Sequence, residues 1–478
     1  MSELAWTPAW RLREMIGQKD VSPVEIMDDL LERTDRLQPV LAPFITLDED
    51  SARQGAREAE DAVMRGDELG PLHGIPYSIK DLIITEGLRT TLGSKLYEDF
   101  VPKFDTVISE RLKAAGAIVF GKTNTPEFGL NRRSVNLVSE ETLCPWDIER
   151  SSGGSSGGSG SAVAAGLGPV SIGTDGGGST RLPSAFNGLV GLQPSRGRVP
   201  IAPKLVDLVI EGAGPMARDV RDAALTMQVI AGYDMREPLS MKSTPPDYMG
   251  EIENGIGDLR LAWSRDLGFI TPHDDDVVDA IHDAALSLGA HAACYEEPDI
   301  KLQDAHDTLD ANPEFTLEKV EAQYQHLENF NPLSSYLRNL VRTEPEKWDQ
   351  LTIYVRDRMD RPTQLEYAMS IAPAVRKRPA MPIASVFENC DLLLCPTTSR
   401  TAFPCTEQGI TPWLYTQYTM LVNLAGYCAI SVPAGFVRGL PVGLQIIAPP
   451  DREHLLLRAA RQLEKIRPWA HRKPQIAL

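Results

Sequence analysis

Two serine clusters wrapped in glycine lie in the second quarter of the chain. Residues 151–161 read Ser-Ser-Gly-Gly-Ser-Ser-Gly-Gly-Ser-Gly-Ser, and residues 173–183 read Gly-Thr-Asp-Gly-Gly-Gly-Ser-Thr-Arg-Leu-Pro. Glycine lets backbone N–H groups approach a ligand closely. A serine among such donors supplies an attacking oxygen beside a cradle for an oxyanion, which is what nucleophilic acyl chemistry requires. The two clusters therefore indicate an acyl-transfer site.

Helical and strand patterns alternate around the clusters. Ser22, Pro23 and Glu25 form the start of a capped helix, which predicts a helix over 22–36. Further helices are predicted over 49–65, 106–116 and 452–465, and one starting at the first cluster. Apolar runs predict strands within 74–84, 117–120, 170–172, 391–396, 429–433 and 440–447, with a turn over 121–124. The alternation predicts a layered α/β core.

Composition narrows the class of protein. The 478 residues carry 48 Lys and Arg against 66 Asp and Glu, a formal net charge of −18, which disfavours nucleic acid as a ligand. The six cysteines form no Cys-x-x-Cys pair and predict reduced thiols. No signal peptide or membrane-spanning run is evident, so we expect a cytoplasmic protein without membrane contact. The histidines lack metal-binding spacing, and we expect neither metal nor cofactor.

Two other interpretations of the first cluster are open. It resembles a Gly/Ser linker, although it passes directly into an alanine-rich helix. It also matches Gly-x-Ser-x-Gly, the nucleophile elbow of α/β-hydrolases, which needs an apolar strand just before it. Residues 147–150 make a poor buried strand, and the late histidines His454 and His471 have no supporting context.

Lys80 lies within the apolar run 74–84. A lysine in such a strand is usually an edge residue whose ammonium reaches solvent. Alternatively it is a buried amine with a lowered pKa, able to act as a general base. Spacing alone does not link Lys80 to serines 75 and 99 positions later.

The order of these motifs resembles the amidase signature family, the Ser–cis-Ser–Lys hydrolases. The similarity covers most of the chain outside about 235–390. Its motifs lie at 74–76, 80–81, 116–117, 121–128, 145–146, 153–159, 173–183, 197–200 and 433–445.

The resemblance implies a role for each of three residues. Ser179 corresponds to the nucleophile, and Ser155 to a bridging serine joined to Gly154 by a cis peptide bond. Lys80 corresponds to the final base of the relay. The backbone N–H groups of the loop before the nucleophile, together with that of Ser179, correspond to the oxyanion hole: Gly176, Gly177 and Gly178. Three residues correspond to supporting positions: Ser156, Asp175 and Arg181.

The resemblance also implies the fold, a mixed twisted β-sheet covered by helices on both faces. We expect one domain over 1–478, in which a variable segment forms a helical cap over the site. Its parts are N-terminal helices over 1–65, a catalytic core over 66–234, the cap over 235–390, and C-terminal core strands and a helix over 391–478.

The function implied is hydrolysis of a carbon–nitrogen bond. The aromatic middle segment favours a small, uncharged, hydrophobic substrate, namely an aryl amide or a related carbamate or ester. Two alternatives are open: the amidase subunit of a tRNA-dependent amidotransferase, which frees ammonia from glutamine for a partner, and a non-catalytic binding protein on the same fold. Relatives are often dimers, so a homodimer is an expected assembly.

Overall fold

A mixed β-sheet runs through the centre of the protein. The computed structural model describes residues 3–204, 211–271, 273–302, 332–360, 382–406 and 412–478. The strands are β1 (Phe44–Leu47), β2 (Pro76–Lys80), β3 (Ile118–Thr123), β4 (Leu143–Cys144), β5 (Asp147–Ser151), β6 (Val170–Asp175), β7 (Val190–Gln193), β8 (Gly212–Ala217), β9 (Arg260–Trp263), β10 (Cys294–Glu296), β11 (Leu392–Pro396), β12 (Cys428–Val437) and β13 (Leu440–Ala448).

The described strands form two sheets. The main sheet has 11 strands in the order β1-β3-β2-β6-β8-β7-β12-β13-β11-β9-β10, and β4 pairs with β5 separately. Strand β2 runs parallel to both β3 and β6, whereas β6 is antiparallel to β8. This order places β2, which ends at Lys80, directly beside β6, which leads into the second serine cluster.

Helices cover both faces of the main sheet. Those in the described residues are Ala9–Gln18, Pro23–Leu41, Glu49–Arg65, Val107–Ala114, Gly157–Ala164, Arg181–Asn187, Val220–Ile230, Tyr248–Glu251, Asp275–Gly289, Pro332–Thr343, Ile353–Asp360, Gln417–Ala425 and Glu453–Ile466. Successive residues of a strand point to opposite faces. Accordingly, Leu392 and Leu394 join one apolar cluster, while Leu393 and Cys395 join another. The predicted fold class is confirmed.

The capped N-terminal helix forms as its sequence predicts. The Val24 N–H donates to Ser22 Oγ at 2.9 Å, and the Ser22 N–H donates to Glu25 Oε2 at 2.9 Å. These bonds satisfy N–H groups that have no partner inside the helix. The helix continues to Leu41, past the predicted end at residue 36.

Two local predictions are wrong. Residues 121–123 continue strand β3 instead of forming a turn, because they pair with both β1 and β2. The predicted helical cap over 235–390 contains β9 and β10, which extend the main sheet beyond β11. These strands are only 4 and 3 residues long, so their pairing with neighbours decides their conformation. Residues 147–151 form a strand in which only Ser151 is buried, in agreement with the prediction that residues 147–150 make a poor buried strand.

Part of the predicted cap packs beside the end of β2. Leu337, Leu351 and Val355 share an apolar cluster with Ile84 and Phe128. The predicted cap residues 303–331 and 361–381 lie outside the described residues.

Candidate active site

Lys80 ends strand β2 in the interior of the main sheet. Its side chain is 0% exposed, so the interpretation as a solvent-reaching edge residue is wrong. Its Nζ lies 2.6 Å from Ser155 Oγ and 2.8 Å from Thr174 Oγ1. Two hydroxyls therefore hold the amine inside the protein, and one of them belongs to the first serine cluster.

The environment of Lys80 lowers the pKa of its amine. Burial is the largest cause, because a charged ammonium loses its hydration in the interior. The carboxylates of Glu211 and Asp175 act in the opposite direction, and Arg132 reinforces the lowering. The resulting pKa is about 7, so a large fraction of the amine is neutral at neutral pH.

The first serine cluster is buried and is not a linker. Residues 151–164 are all buried, and the peptide bond between Gly154 and Ser155 is cis. A Cβ on Gly154 would lie 2.7 Å from Arg132 C and 2.8 Å from Arg133 N, which leaves space only for glycine. The preceding strand β5 belongs to the two-stranded sheet. A nucleophile elbow follows a strand of the main sheet, so that interpretation does not fit.

Ser156 joins the two clusters. Its backbone N–H donates to Ser179 O at 3.2 Å. Its hydroxyl donates to Thr174 O at 3.1 Å and accepts from the Thr174 N–H at 3.2 Å. Ser156 thus fixes the first cluster against strand β6 and the loop that carries Ser179.

Ser179 lies between β6 and the helix Arg181–Asn187, with a side chain that is 3% exposed. The described structure contains a hydrogen bond between Lys80 and Ser155 but none between the hydroxyls of Ser155 and Ser179. In unliganded enzymes, catalytic hydrogen bonds are often long and tighten when substrate binds.

Asp175 and Arg181 form a fully buried ion pair beside this loop. Arg181 Nε donates to Asp175 Oδ2 at 2.9 Å, and both side chains are 0% exposed. Burial by itself raises the pKa of Asp175, but the Arg181 charge and several hydrogen bonds outweigh it, so the pKa lies well below its usual value. Arg181 also donates to Gln445 Oε1 at 2.7 Å and to Asn423 Oδ1. The ion pair holds the loop that carries Ser179, and the guanidinium of Arg181 is hydrogen-bonded to protein groups.

The four N–H groups implied as an oxyanion hole divide into two pairs. The N–H groups of Gly177 and Gly178 donate to Asp175 Oδ1, at 3.2 Å for Gly177. The N–H groups of Gly176 and Ser179 donate to no group that the structure describes. In this conformation, therefore, Asp175 binds the N–H groups of Gly177 and Gly178, and those of Gly176 and Ser179 have no acceptor among the described residues.

Glycine is required at Gly178 of this loop, whereas a Cβ on Gly177 would meet only the flexible ends of side chains. A Cβ on Gly177 would lie 2.6 Å from Met420 Cε. Gly178 has φ +117°, and a Cβ there would clash with the Thr419 side chain. The close approach of the helix Gln417–Ala425 thus shapes the loop.

Three functional neighbours were not assigned from the sequence. The Thr174 hydroxyl binds the amine of Lys80, and Asn423 Nδ2 donates a hydrogen bond to Asp175 O at 2.7 Å. Gln445 Oε1 accepts a hydrogen bond from Arg181. Thr174 and Gln445 lie in motifs that carry the resemblance, which was the available signal. Asn423 lies outside those motifs, 248 positions from Asp175, and no pattern in the sequence indicates it.

Features of other kinds of site are missing from the described ranges. No three His, Cys, Asp or Glu side chains there are grouped to hold a metal ion. No described helix is both long and apolar enough to cross a membrane. All six cysteines are free thiols.

Comparison with known proteins identifies the family. The amidase family profile matches residues 25–457. The chain is 35% identical to a glutamyl-tRNA(Gln) amidotransferase subunit of Carboxydothermus hydrogenoformans, covering 99% of this chain and 100% of that protein. It is 34% identical to an acylamidase of Rhodococcus erythropolis, and the alignment covers 99% of this chain and 98% of that protein. The crystal structure of a bacterial aryl acylamidase superposes with a TM-score of 0.85 at 26% identity and covers 98% of both chains.

The chain belongs to the amidase signature family and is a hydrolase of carbon–nitrogen bonds. Enzymes of this family act on small amide substrates, and some relatives are named as subunits of complexes.

Proposed function

We propose that this enzyme cleaves its substrate through an acyl-enzyme on Ser179, with Ser155 and Lys80 as a proton relay. The observation that carries the proposal is the 2.6 Å contact between Lys80 Nζ and Ser155 Oγ in a fully buried setting. A neutral amine accepts the Ser155 proton, and Ser155 accepts the proton of Ser179 as that oxygen attacks the carbonyl carbon. The second transfer requires the two serine hydroxyls to meet when substrate binds.

The attack converts the carbonyl into a tetrahedral oxyanion. The N–H groups of Gly176 and Ser179 are placed in this proposal as its donors, because Asp175 already binds those of Gly177 and Gly178. Loss of one oxyanion donor typically raises a barrier by about 3–4 kcal/mol. Asp175 and Arg181 act as supporting residues that hold the loop, and Ser156 holds the first cluster against it.

The relay then returns its proton. The Lys80 ammonium gives a proton to Ser155, and Ser155 gives one to the leaving nitrogen as the C–N bond breaks. Water next attacks the ester on Ser179 and passes a proton into the same relay. The acid is released, and Ser179 recovers its hydrogen, so one water is consumed in each turnover.

The substrate proposed is a small, uncharged, hydrophobic amide, namely an aryl amide or a related carbamate or ester. Apolar groups close to the site support this choice. The Leu82 side chain lies next to Gly129, close to Ser155, and the Met420 methyl lies next to Gly177. The acylamidase and aryl acylamidase relatives are named for this kind of bond.

A p-nitroanilide panel with acetyl, butyryl, hexanoyl and benzoyl groups, together with one aryl carbamate, tests the proposal. We expect turnover by the wild type, none by Ser179→Ala, and a reduced rate with an altered pH profile for Lys80→Ala. Ser161→Ala is the matched control, because its buried hydroxyl donates to Leu143 O and not to the relay. Full activity of Ser179→Ala, or no covalent adduct with a fluorophosphonate, would refute the proposed nucleophile.

A second candidate is the amidase subunit of a tRNA-dependent amidotransferase. It is supported by the 35% identity over the full length of such a protein. Glutamine hydrolysis only in the presence of partner subunits, with no turnover of the anilide panel, would favour it. Turnover of the panel by the isolated chain would favour the independent amidase.

We also propose a homodimer, which the family resemblance supports. Light scattering of the purified protein should then give twice the chain mass of 52.5 kDa. A mass equal to one chain at micromolar concentration would contradict it.

A further inference from the structure

A small recess opens beside Thr174, the residue whose hydroxyl binds the amine of Lys80. It has a volume of about 10 Å³, which is room for about one water molecule. Thr174, whose hydroxyl lies 2.8 Å from Lys80 Nζ, lines this recess, and Glu211 lines it too. Glu211 and the threonine that binds the proposed base therefore line the same small space.

The register of the main sheet independently places Glu211 at the site. Strand β8 begins at Gly212, which pairs with Asp175 at the end of β6. Glu211 immediately precedes Gly212, so its backbone lies beside Gly176, where the loop that leads to Ser179 begins. Glu211 is thus fixed at the junction of the base and the loop by the pairing of two buried strands.

The other charges that face Lys80 are Asp175 and Arg132. The charge of Asp175 is opposed at 2.9 Å by Arg181, which reduces its field at the amine. The recess is also lined by Lys204, which pairs with Glu237 at 3.4 Å. Glu211 and Asp175 are the carboxylates among these groups that favour the Lys80 ammonium, and Glu211 is the one that lines the recess with Thr174.

We propose that Glu211 is a positioning residue that sets the protonation of Lys80, and thereby the basicity of the relay and the pH at which the enzyme becomes active. This inference rests on the proposed function, because it takes Lys80 as the base. A carboxylate near a buried amine favours the protonated form and strengthens the base. A general base works best when its pKa lies near the working pH. Glu211 thus offsets part of the effect of burial.

The substitution Glu211→Gln separates this role from a structural one. Without the carboxylate, Lys80 stays neutral at lower pH but is a weaker base. In a plot of kcat/KM against pH, the rising part at acid pH, the acid limb, should therefore move to lower pH, by on the order of half to one pH unit. The plateau value of kcat/KM at higher pH should fall. A purely structural defect lowers the plateau and leaves the limb in place.

The matched control is Glu237→Gln, which makes the same change at a carboxylate that pairs with Lys204 and does not act on Lys80. The rising part of the pH profile of Glu237→Gln should coincide with that of the wild type. Glu211→Asp retains the charge, so its pH profile should stay close to that of the wild type. If Glu211→Gln does not fold, Glu211→Ser provides the neutral side chain for the same measurement.

The outcomes distinguish this inference from the proposed function. An active wild type with an inactive Ser179→Ala, combined with an unmoved limb in the neutral Glu211 variants, overturns the role of Glu211 alone. Activity of Ser179→Ala overturns the proposed function itself. A shift of the acid limb of kcat/KM to lower pH that occurs only in the neutral Glu211 variants establishes the role of Glu211.

Discussion

Lys80 and Ser155 are 75 positions apart in the chain and are joined at 2.6 Å in the interior. Lys80 is the last residue of strand β2, so its amine lies at the C-terminal end of an interior strand. The loop before the helix Gly157–Ala164 brings the Ser155 hydroxyl to the same place. Neither residue has solvent to stabilise a charge, so burial favours the neutral amine, which is the form that can accept a proton.

The first prediction concerns the pH dependence of the relay. The pKa of Lys80 is about 7, lowered by burial, and the base must be neutral to act. The rate constant kcat/KM should therefore rise with pH and level off above about 7. Lys80→Arg should be inactive throughout, with a loss of at least about 100-fold, because arginine stays protonated. Appreciable activity of Lys80→Arg would contradict the assignment of Lys80 as the base.

The second prediction concerns the ion pair between Asp175 and Arg181. Asp175→Asn should lower the free energy of unfolding by about 3–5 kcal/mol, because it leaves a buried guanidinium without its counter-charge. Urea denaturation measures this loss. The control Glu49→Gln breaks an exposed pair with Arg53 and should change the free energy by less than about 1 kcal/mol. Equal effects of the two substitutions would refute the importance of burial.

The same pair predicts the acid sensitivity of folding. The pKa of Asp175 is depressed in the folded protein, so its stabilising contribution is present above the unfolded pKa of about 4. The contribution is lost as the pH falls towards the lower, folded value. The difference in unfolding free energy between wild type and Asp175→Asn should therefore shrink below about pH 4. A difference that stays constant into strong acid would contradict this assignment.

The third prediction concerns the loop conformation. Gly178→Ala should abolish most activity, because a Cβ at φ +117° would displace either the loop or Thr419. The control is Gly257→Ala, where a Cβ meets no atom within 4 Å. Hydrolysis rates compared at equal folded concentrations provide the measurement, and a fully active Gly178→Ala would show that the loop tolerates another shape.

The fourth prediction tests the N-terminal helix. Ser22→Ala should lower the free energy of unfolding by about 1 kcal/mol, because the hydroxyl accepts from the Val24 N–H. The hydrolysis rate of the folded enzyme should stay unchanged. A changed rate without a change in stability would contradict a purely structural role for this cap.

Local chemistry made part of the fold predictable. The capping box of Ser22 and Glu25 depends on residues three positions apart, and the structure confirms it. The apolar runs that became β11, β12 and β13 were visible for the same reason. By contrast, β9 and β10 are short and gain their order from parallel pairing with distant strands. Predictions from local pattern therefore failed there.

The sequence by itself determined the residue types of the site: a lysine within an apolar run and two glycine-wrapped serines, whose order resembles the amidase signature family. Only the tertiary structure decided which groups meet. It placed Thr174 on the amine of Lys80 and gave the N–H groups of Gly177 and Gly178 to Asp175. The physical reason is that hydrogen bonds and electric fields depend on distances in space, which the packing of the main sheet sets between residues far apart in the chain.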